Sequence, residues 1–320
     1  MSKAILGIHH ITAITGDPQE NIDFYTGVLG LRLVKVTVNF DDPGSYHLYY
    51  GNTNGTPGTI LTFFAWPGAR RGRHGNGQVT VTSFAIPPGS LPFWRERFRT
   101  KDIAFDAAHE RFGQQVQPFA DGDGMRLELV ETPAADAARA WEGGSVPLEF
   151  AIRGFHSATL SETGYERTAA LLTDTMGFRL VGQEQNRFRY EVGHGASQTV
   201  DVICAPAAPD GRVAVGSVHH IAWRTADDAQ QRDWLREIGR LGYNVSPIMD
   251  RIYFHSIYYR EPGGILFEIA TDVPGFAIDE PLAKLGSGLM LPPWLEAQRP
   301  QIEAVLPPIE RHHREQRAAL

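Results

Sequence analysis

Gly7-Ile-His-His-Ile-Thr-Ala-Ile-Thr15 opens the chain, and Val218-His-His-Ile-Ala-Trp-Arg-Thr225 repeats its pattern far downstream. Both runs are rich in β-branched residues and bounded by turn formers, so both read as strands. Two adjacent histidines inside an apolar strand are unusual, and meeting the pattern twice points to repeated modules. Working outward from the first run, Asp17-Pro18 supplies an N-cap and a proline at the first turn of a helix. Ile22, Tyr25 and Leu29 are spaced three and four apart, which predicts a helix over 21–29, and Gly30 closes it. Strand-like runs follow at 31–40, 46–50 and 59–65, separated by Asp-Pro-Gly and Asn-Gly turn signals. The unit is therefore βαβββ.

Looser copies follow. The second has a strand at 79–86, a helix at 90–98 and a closing strand at 125–130. The third places strands at 154–160, 178–181, 188–192 and 199–205 around a helix at 165–176, with Gly177 as its stop. The fourth has strands at 218–224, 253–260 and 265–270 and a helix at 229–241. These spacings predict an α+β chain of four βαβββ modules curled into two open-barrel cups. The expected organisation is an N-terminal half over 1–135 with modules 1 and 2, and a C-terminal half over 146–272 with modules 3 and 4. An Ala-rich linker at 132–145 separates them, and a tail over 273–320 ends in a polar helix at 310–320.

At 320 residues and 42% hydrophobic, the chain can bury a full core. A net charge of -7 leaves no basic footprint for nucleic acid. No apolar run approaches the roughly 20 residues needed to cross a bilayer, and the N-terminus lacks a signal-peptide pattern. The single cysteine, Cys204, excludes an internal disulfide framework and lies in an apolar strand-like run, as a buried structural thiol does. A cytoplasmic protein without membrane or nucleic-acid partners is expected; a homo-oligomer is left open. The loop containing Arg70, Arg71, Arg73 and His74 reads as solvated, and His312-His313 as part of a polar helix face.

Superposing modules 1 and 4 places His10 over His220 and Phe63 over Glu268, because Pro57-Gly-Thr-Ile-Leu-Thr-Phe-Phe64 falls over Pro262-Gly-Gly-Ile-Leu-Phe-Glu-Ile269. A carboxylate flanked by Ile265, Leu266, Phe267 and Ile269 is costly to bury alone. Two imidazoles and one carboxylate facing open positions suit Fe(II) in a non-haem oxygenase site, with Mn, Zn or Ni as substitutes. His10, His220 and Glu268 are therefore the expected metal ligands. Phe63 cannot coordinate, which leaves room for a substrate and O2. In modules 2 and 3, Glu128 occupies the acid position and His156 lies over His9, but no histidine pair is present, so that cup is expected to be structural.

The two His-His pairs, with Glu268 following Pro262-Gly263-Gly264, resemble the vicinal-oxygen-chelate (glyoxalase, bleomycin-resistance and extradiol dioxygenase) superfamily. More closely, the chain is similar to dioxygenases that open hydroquinone rings with Fe(II). Tyr46-His-Leu-Tyr-Tyr50, Gly55-Thr-Pro-Gly-Thr59, Arg111-Phe-Gly-Gln114 and Gly154-Phe-His-Ser157 extend the likeness across about residues 5–280. The resemblance implies an aromatic small-molecule substrate, possible chlorination included, and ligation by His10, His220 and Glu268. It also implies a shell of His9, Thr12, His219, Arg251 and Tyr258: His9, His219, Tyr258 and Arg251 as catalytic groups, and Thr12, Arg251 and Tyr258 on the substrate with His255. Strand alternation turns Thr12 to the face of His10 but points His9 and His219 away, unless a bulge turns them in. The orientation of His255, His47 and Tyr49 is open in the sequence. Two rival readings exist: a glyoxalase-like isomerase or thiol transferase, and a protein that sequesters an aromatic compound. Three ligands instead of four weigh against the first, and the retained triad weighs against the second.

Overall fold

The structure is a computed structural model and describes residues 3–137 and 140–311. Among the described residues, sixteen strands fall into four successive groups. Module 1 holds β1 (Ile8–Thr15), β2 (Arg32–Asn39), β3 (Asp42–Gly51) and β4 (Ile60–Ala65), with helix α1 (Pro18–Ile22) after β1. Module 2 holds β5 (Gln78–Ile86), helix α2 (Leu91–Thr100), β6 (His109–Arg111), β7 (Gln114–Ala120) and β8 (Arg126–Glu131). Module 3 holds β9 (Phe155–Glu162), helix α3 (Glu166–Ala170), β10 (Arg179–Glu184), β11 (Arg187–Glu191) and β12 (Thr199–Cys204). Module 4 holds β13 (Val218–Thr225), helix α4 (Asp228–Arg240), β14 (Met249–Asp250), β15 (Phe254–Arg260) and β16 (Leu266–Pro274).

The expected helix starts and stops have physical causes. Asp17 accepts hydrogen bonds from the amides of Gln19 and Glu20, at 2.8 and 3.0 Å, and so caps α1. Gly30 and Gly177 end the first and third helices at φ 72° and 80°, where a side chain would be strained. The winding departs from expectation: Asp23–Val28 and Leu171–Thr175 are π-helical, with Leu29 N donating to Phe24 O and Met176 N to Leu171 O. Modules 1 and 3 share this extra-wide turn. Module 2 has two strands that the sequence did not announce, β6 and β7, which carry polar residues along most of their length.

The modules pair crosswise. One sheet runs β14-β15-β16-β13-β1-β4-β3-β2 and joins module 4 to module 1; the other runs β10-β11-β12-β9-β5-β8-β7-β6 and joins module 3 to module 2. Each sheet is mirrored about an antiparallel seam, β1 against β13 or β5 against β9. Helices cover the outer faces, where Tyr25, Tyr50 and Phe63 stack within the main core. The segment after β16 runs beside β2. It is held there by the fully buried Lys35, which donates to Asp279 at 2.6 Å and to Glu280 at 2.5 Å. Most of the polar helix expected over 310–320, with His312 and His313, lies outside the described residues; Glu310 and Arg311 are not helical. No described helix is long and apolar enough to cross a membrane.

Candidate metal centre and its cavity

The seam of the first sheet brings the two histidine pairs together. His10 lies opposite Ala222 and Thr12 opposite His220, so His10 and His220 sit diagonally across it. Glu268 enters from β16, which pairs in parallel with β13 through Ala222. The imidazole Nε2 atoms of His10 and His220 are 3.4 Å apart, and they lie 3.3 and 2.9 Å from Glu268 Oε2. All three side chains are buried.

Three potential ligand atoms thus converge on one point. Glu268 Oε1 accepts from the Ser256 hydroxyl, whereas Oε2 has no donor in hydrogen-bonding geometry. Burial alone would raise the Glu268 pKa, but the two imidazoles outweigh it and hold the carboxyl well below the usual carboxylate range. Ligands at about 2.0–2.2 Å on adjacent corners of one ion lie about 3 Å apart, which the observed triangle matches. Among the described residues, no other cluster of His, Cys, Asp or Glu meets this geometry.

The inner residue of each pair is fixed from behind. His10 Nδ1 lies 2.9 Å from His9 Nδ1, and His220 Nδ1 lies 2.8 Å from His219 Nδ1. The β1–β13 register shifts between Ile8 and His10, and again between Thr12 and Ala13, opposite His219. A bulge at each pair thus overrides alternation and lets neighbouring side chains touch. If Nε2 is to hold a cation, Nδ1 must carry the proton, so His10 and His220 donate to His9 and His219. Burial, then the adjacent imidazole, lowers His9 well below its ordinary range and His219 to about 3, so both are neutral acceptors.

A cavity of about 240 Å³ opens over the triangle. Thr12, His219, Arg251 and Tyr258 line it; His9 does not, because it sits behind His10 against Phe254. Arg251 Nε donates to Tyr258 Oη at 3.2 Å and its Nη2 to Asp41 at 3.1 Å, which ties β2's turn to module 4 across the mouth. His255 is not part of the site. Phe254, Ser256 and Tyr258 face inward, so alternation turns His255 outward to Asp228 on α4, 2.6 Å away. His47, Tyr49, Phe64 and Trp66 also line the cavity. The shared parity of His47 and Tyr49 on β3 shows this once one of them is known to face inward.

The frame used to match modules 1 and 4 needs correcting by one residue. β1 pairs with β4 through Thr12 and Thr62, and β13 with β16 through Ala222 and Glu268. Thr62, not Phe63, therefore stands at the position of Glu268. Phe63 lies on the opposite face, packed against Tyr25 and Tyr50, because a one-residue slip exchanges the faces of a strand. The position still lacks a ligand.

In the second sheet the corresponding positions hold Val81, Ser157, Glu128 and Asp201. Glu128 receives two 2.8 Å hydrogen bonds from Arg111 and one from Ser83, while Asp201 is held by Arg187 and Arg189. Burial raises both carboxyls, but the guanidinium groups outweigh it and lower them. Arg111 here pairs with the carboxylate that matches Glu268 of the first cup.

Comparison with known proteins agrees with this geometry. The chain is 51% identical over 310 residues to the "Putative ring-cleaving dioxygenase MhqO" of Bacillus subtilis (strain 168), covering 97% of this chain and 98% of that protein. It is 35% identical over 309 residues to a chlorohydroquinone/hydroquinone 1,2-dioxygenase of Sphingobium indicum, covering 94% and 96%. A crystal structure described as a "putative dioxygenase" from Bacillus subtilis superposes with a TM-score of 0.93 at 51% identity, covering 97% and 99% of the two chains. The Glyoxalase/Bleomycin resistance protein/Dioxygenase superfamily matches residues 7–129 and 154–269, and the chain belongs to that superfamily, among its ring-cleaving dioxygenases.

Proposed function

We propose that this enzyme opens the ring of a hydroquinone-type substrate, chlorinated or not, with dioxygen and Fe(II) held by His10, His220 and Glu268. The observation that carries the metal is the convergence of three buried potential ligand atoms, two imidazole nitrogens and one carboxylate oxygen, within 3.4 Å of one another. A bound Fe(II) supplies a Lewis acid for a ring hydroxyl and a redox partner for dioxygen. The relative from Sphingobium indicum, named for chlorohydroquinone and hydroquinone, supports the substrate class. A cavity of about 240 Å³ is below the roughly 300 Å³ at which most small-molecule sites begin, and so suits a single ring. Phe40, Phe64, Trp66 and Phe254 supply its apolar walls.

The protein's own groups divide the work. His219 gives its Nδ1 lone pair to His220, so its proton is on Nε2 and faces the cavity. It acts as a donor to developing negative charge on oxygen, not as a base. Tyr258, raised by burial and by Glu268, stays a neutral phenol. Its oxygen accepts from Arg251, leaving the O–H free to donate to a ring oxygen. His9 orients His10 from outside the cavity and touches no substrate. Reconstituting the metal-free protein with Fe(II) under anaerobic conditions, then following oxygen uptake with hydroquinones and catechols, tests the proposal. Uptake with hydroquinones and ring-opened products labelled by 18O2 is expected. No uptake with either class refutes it.

A further inference from the structure

Because His219 is committed as a donor, the protons of the reaction need another route. One cavity wall carries a continuous chain of side chains. Tyr49 Oη lies 2.9 Å from His47 Nδ1, His47 Nε2 lies 2.7 Å from Thr62 Oγ1, and Thr62 Oγ1 donates to Thr12 Oγ1 at 3.0 Å. Once Thr62 donates to Thr12, every other proton is placed: His47 donates from Nε2, and Tyr49 donates to Nδ1. Thr12 is left with its hydroxyl proton facing the cavity between His10 and His220, its neighbours along and across the seam.

We propose that Tyr49, His47, Thr62 and Thr12 form a proton-delivery chain directed at the reacting oxygen of the substrate, with Thr62 as its indispensable link. In this step Thr12 gives its proton to that oxygen, and an O–H bond forms there as the Thr12 O–H breaks. Thr62 reprotonates Thr12, His47 Nε2 reprotonates Thr62, and Tyr49 reprotonates His47 at Nδ1. Tyr49 recovers its proton from a cavity water, whose hydroxide takes up the proton released by the ring hydroxyl, and exchange of the His47 ring protons with cavity water restores the Nε2–H tautomer between turnovers. The imidazole changes tautomer and never becomes charged, in keeping with burial that holds His47 well below its ordinary range. Register gives the chain its logic: Thr62 stands where Glu268 stands in module 4, so this corner conducts protons in place of binding metal.

The inference rests on the dioxygenase reading, and the test separates the two. Thr62→Val keeps shape and burial but cuts the chain; Thr62→Ser restores the hydroxyl. With Fe(II) and hydroquinone, Thr62→Val should lose about 10²-fold in kcat, with KM, iron content and melting temperature near wild type, and Thr62→Ser should recover most of the loss. The solvent deuterium effect on kcat should fall in Thr62→Val. Independently of turnover, 15N NMR of the metal-free protein should show His47 protonated at Nε2. Should Thr62→Val fail to fold, Tyr49→Phe interrupts the other end and should give the same kinetic loss. A folded Thr62→Val with wild-type kcat, or His47 protonated at Nδ1, overturns the chain. A wild-type enzyme inactive on every phenol overturns the dioxygenase reading instead, while the NMR result still decides the chain.

Discussion

Replacing His219 isolates what the histidine pairs are for. In the Nδ1–H form that metal binding through Nε2 requires, the buried His220 has His219 Nδ1, 2.8 Å away, as its acceptor. His219→Leu removes that acceptor, and a buried donor left without a partner costs about 1–3 kcal/mol. Because metal binding through Nε2 demands the Nδ1–H form, the cost falls on the metal-bound state. At about 1.4 kcal/mol per tenfold, affinity should drop roughly 5- to 150-fold, which overlaps the 10–100-fold typical of partners behind a metal ligand. His219→Asn places a carbonyl oxygen near the lost Nδ1 and should hold affinity within about threefold, yet it cannot reach the cavity, so its kcat should still fall. Anaerobic chelator competition with Fe(II), and with Co(II) as a stable spectroscopic probe, measures both variants. If His219→Leu holds metal as well as wild type, the orienting role of the pair is wrong.

Other substitutions test the remaining assignments. Glu268→Ala should release metal and activity together, whereas Glu128→Ala should keep full iron but lose about 3–5 kcal/mol, because Arg111 is left buried and unpaired; metal analysis and urea unfolding of both variants check this, and iron loss in Glu128→Ala would place the metal in the other cup. Thr62→Glu puts a second carboxylate at the position matching Glu268. It should slow metal release to a chelator and abolish oxygen uptake, and an unchanged Co(II) spectrum would count against the register. Glu162 is fully buried, and burial with Glu261 nearby pushes its carboxyl up from the usual 4.5 to about 8. The folded chain then holds a proton that the unfolded chain releases, so stability falls as pH rises from 4.5 towards 8. Glu162→Gln should raise Tm at pH 8 by roughly 2–4 °C per kcal/mol recovered and do little at pH 5. An equal shift at both pH values would refute it.

Much of the site could be read in the sequence because its signals are rare in kind. Adjacent histidines in an apolar strand, and an acid amid Ile265, Leu266 and Phe267, break the ordinary pattern of a buried strand. What the sequence withheld depends on frame and distance. The aligned Pro-Gly turns set Phe63 over Glu268, yet β4 starts at Ile60 and β16 at Leu266, so the strands do not begin equally far past those turns. The outward turn of His255 is not legible locally, because its parity is fixed only when Tyr258 is known to face inward. The bulges at His9 and His219 come from the seam, which no local pattern records. Lys35 and its partners Asp279 and Glu280 come from opposite ends of the chain and meet only after folding.

The seam between β1 and β13 also sets a timetable for synthesis. His10 leaves the ribosome early, but His220 follows 210 residues later and Glu268 later still. The nascent first quarter therefore waits with one sheet edge uncovered until the last quarter arrives, while modules 2 and 3 can already close on each other. Such distant pairing is slow to form and exposes sticky edges meanwhile. A polypeptide arrested before Val218 would have only one imidazole of the triangle, that of His10, and no carboxylate beside it.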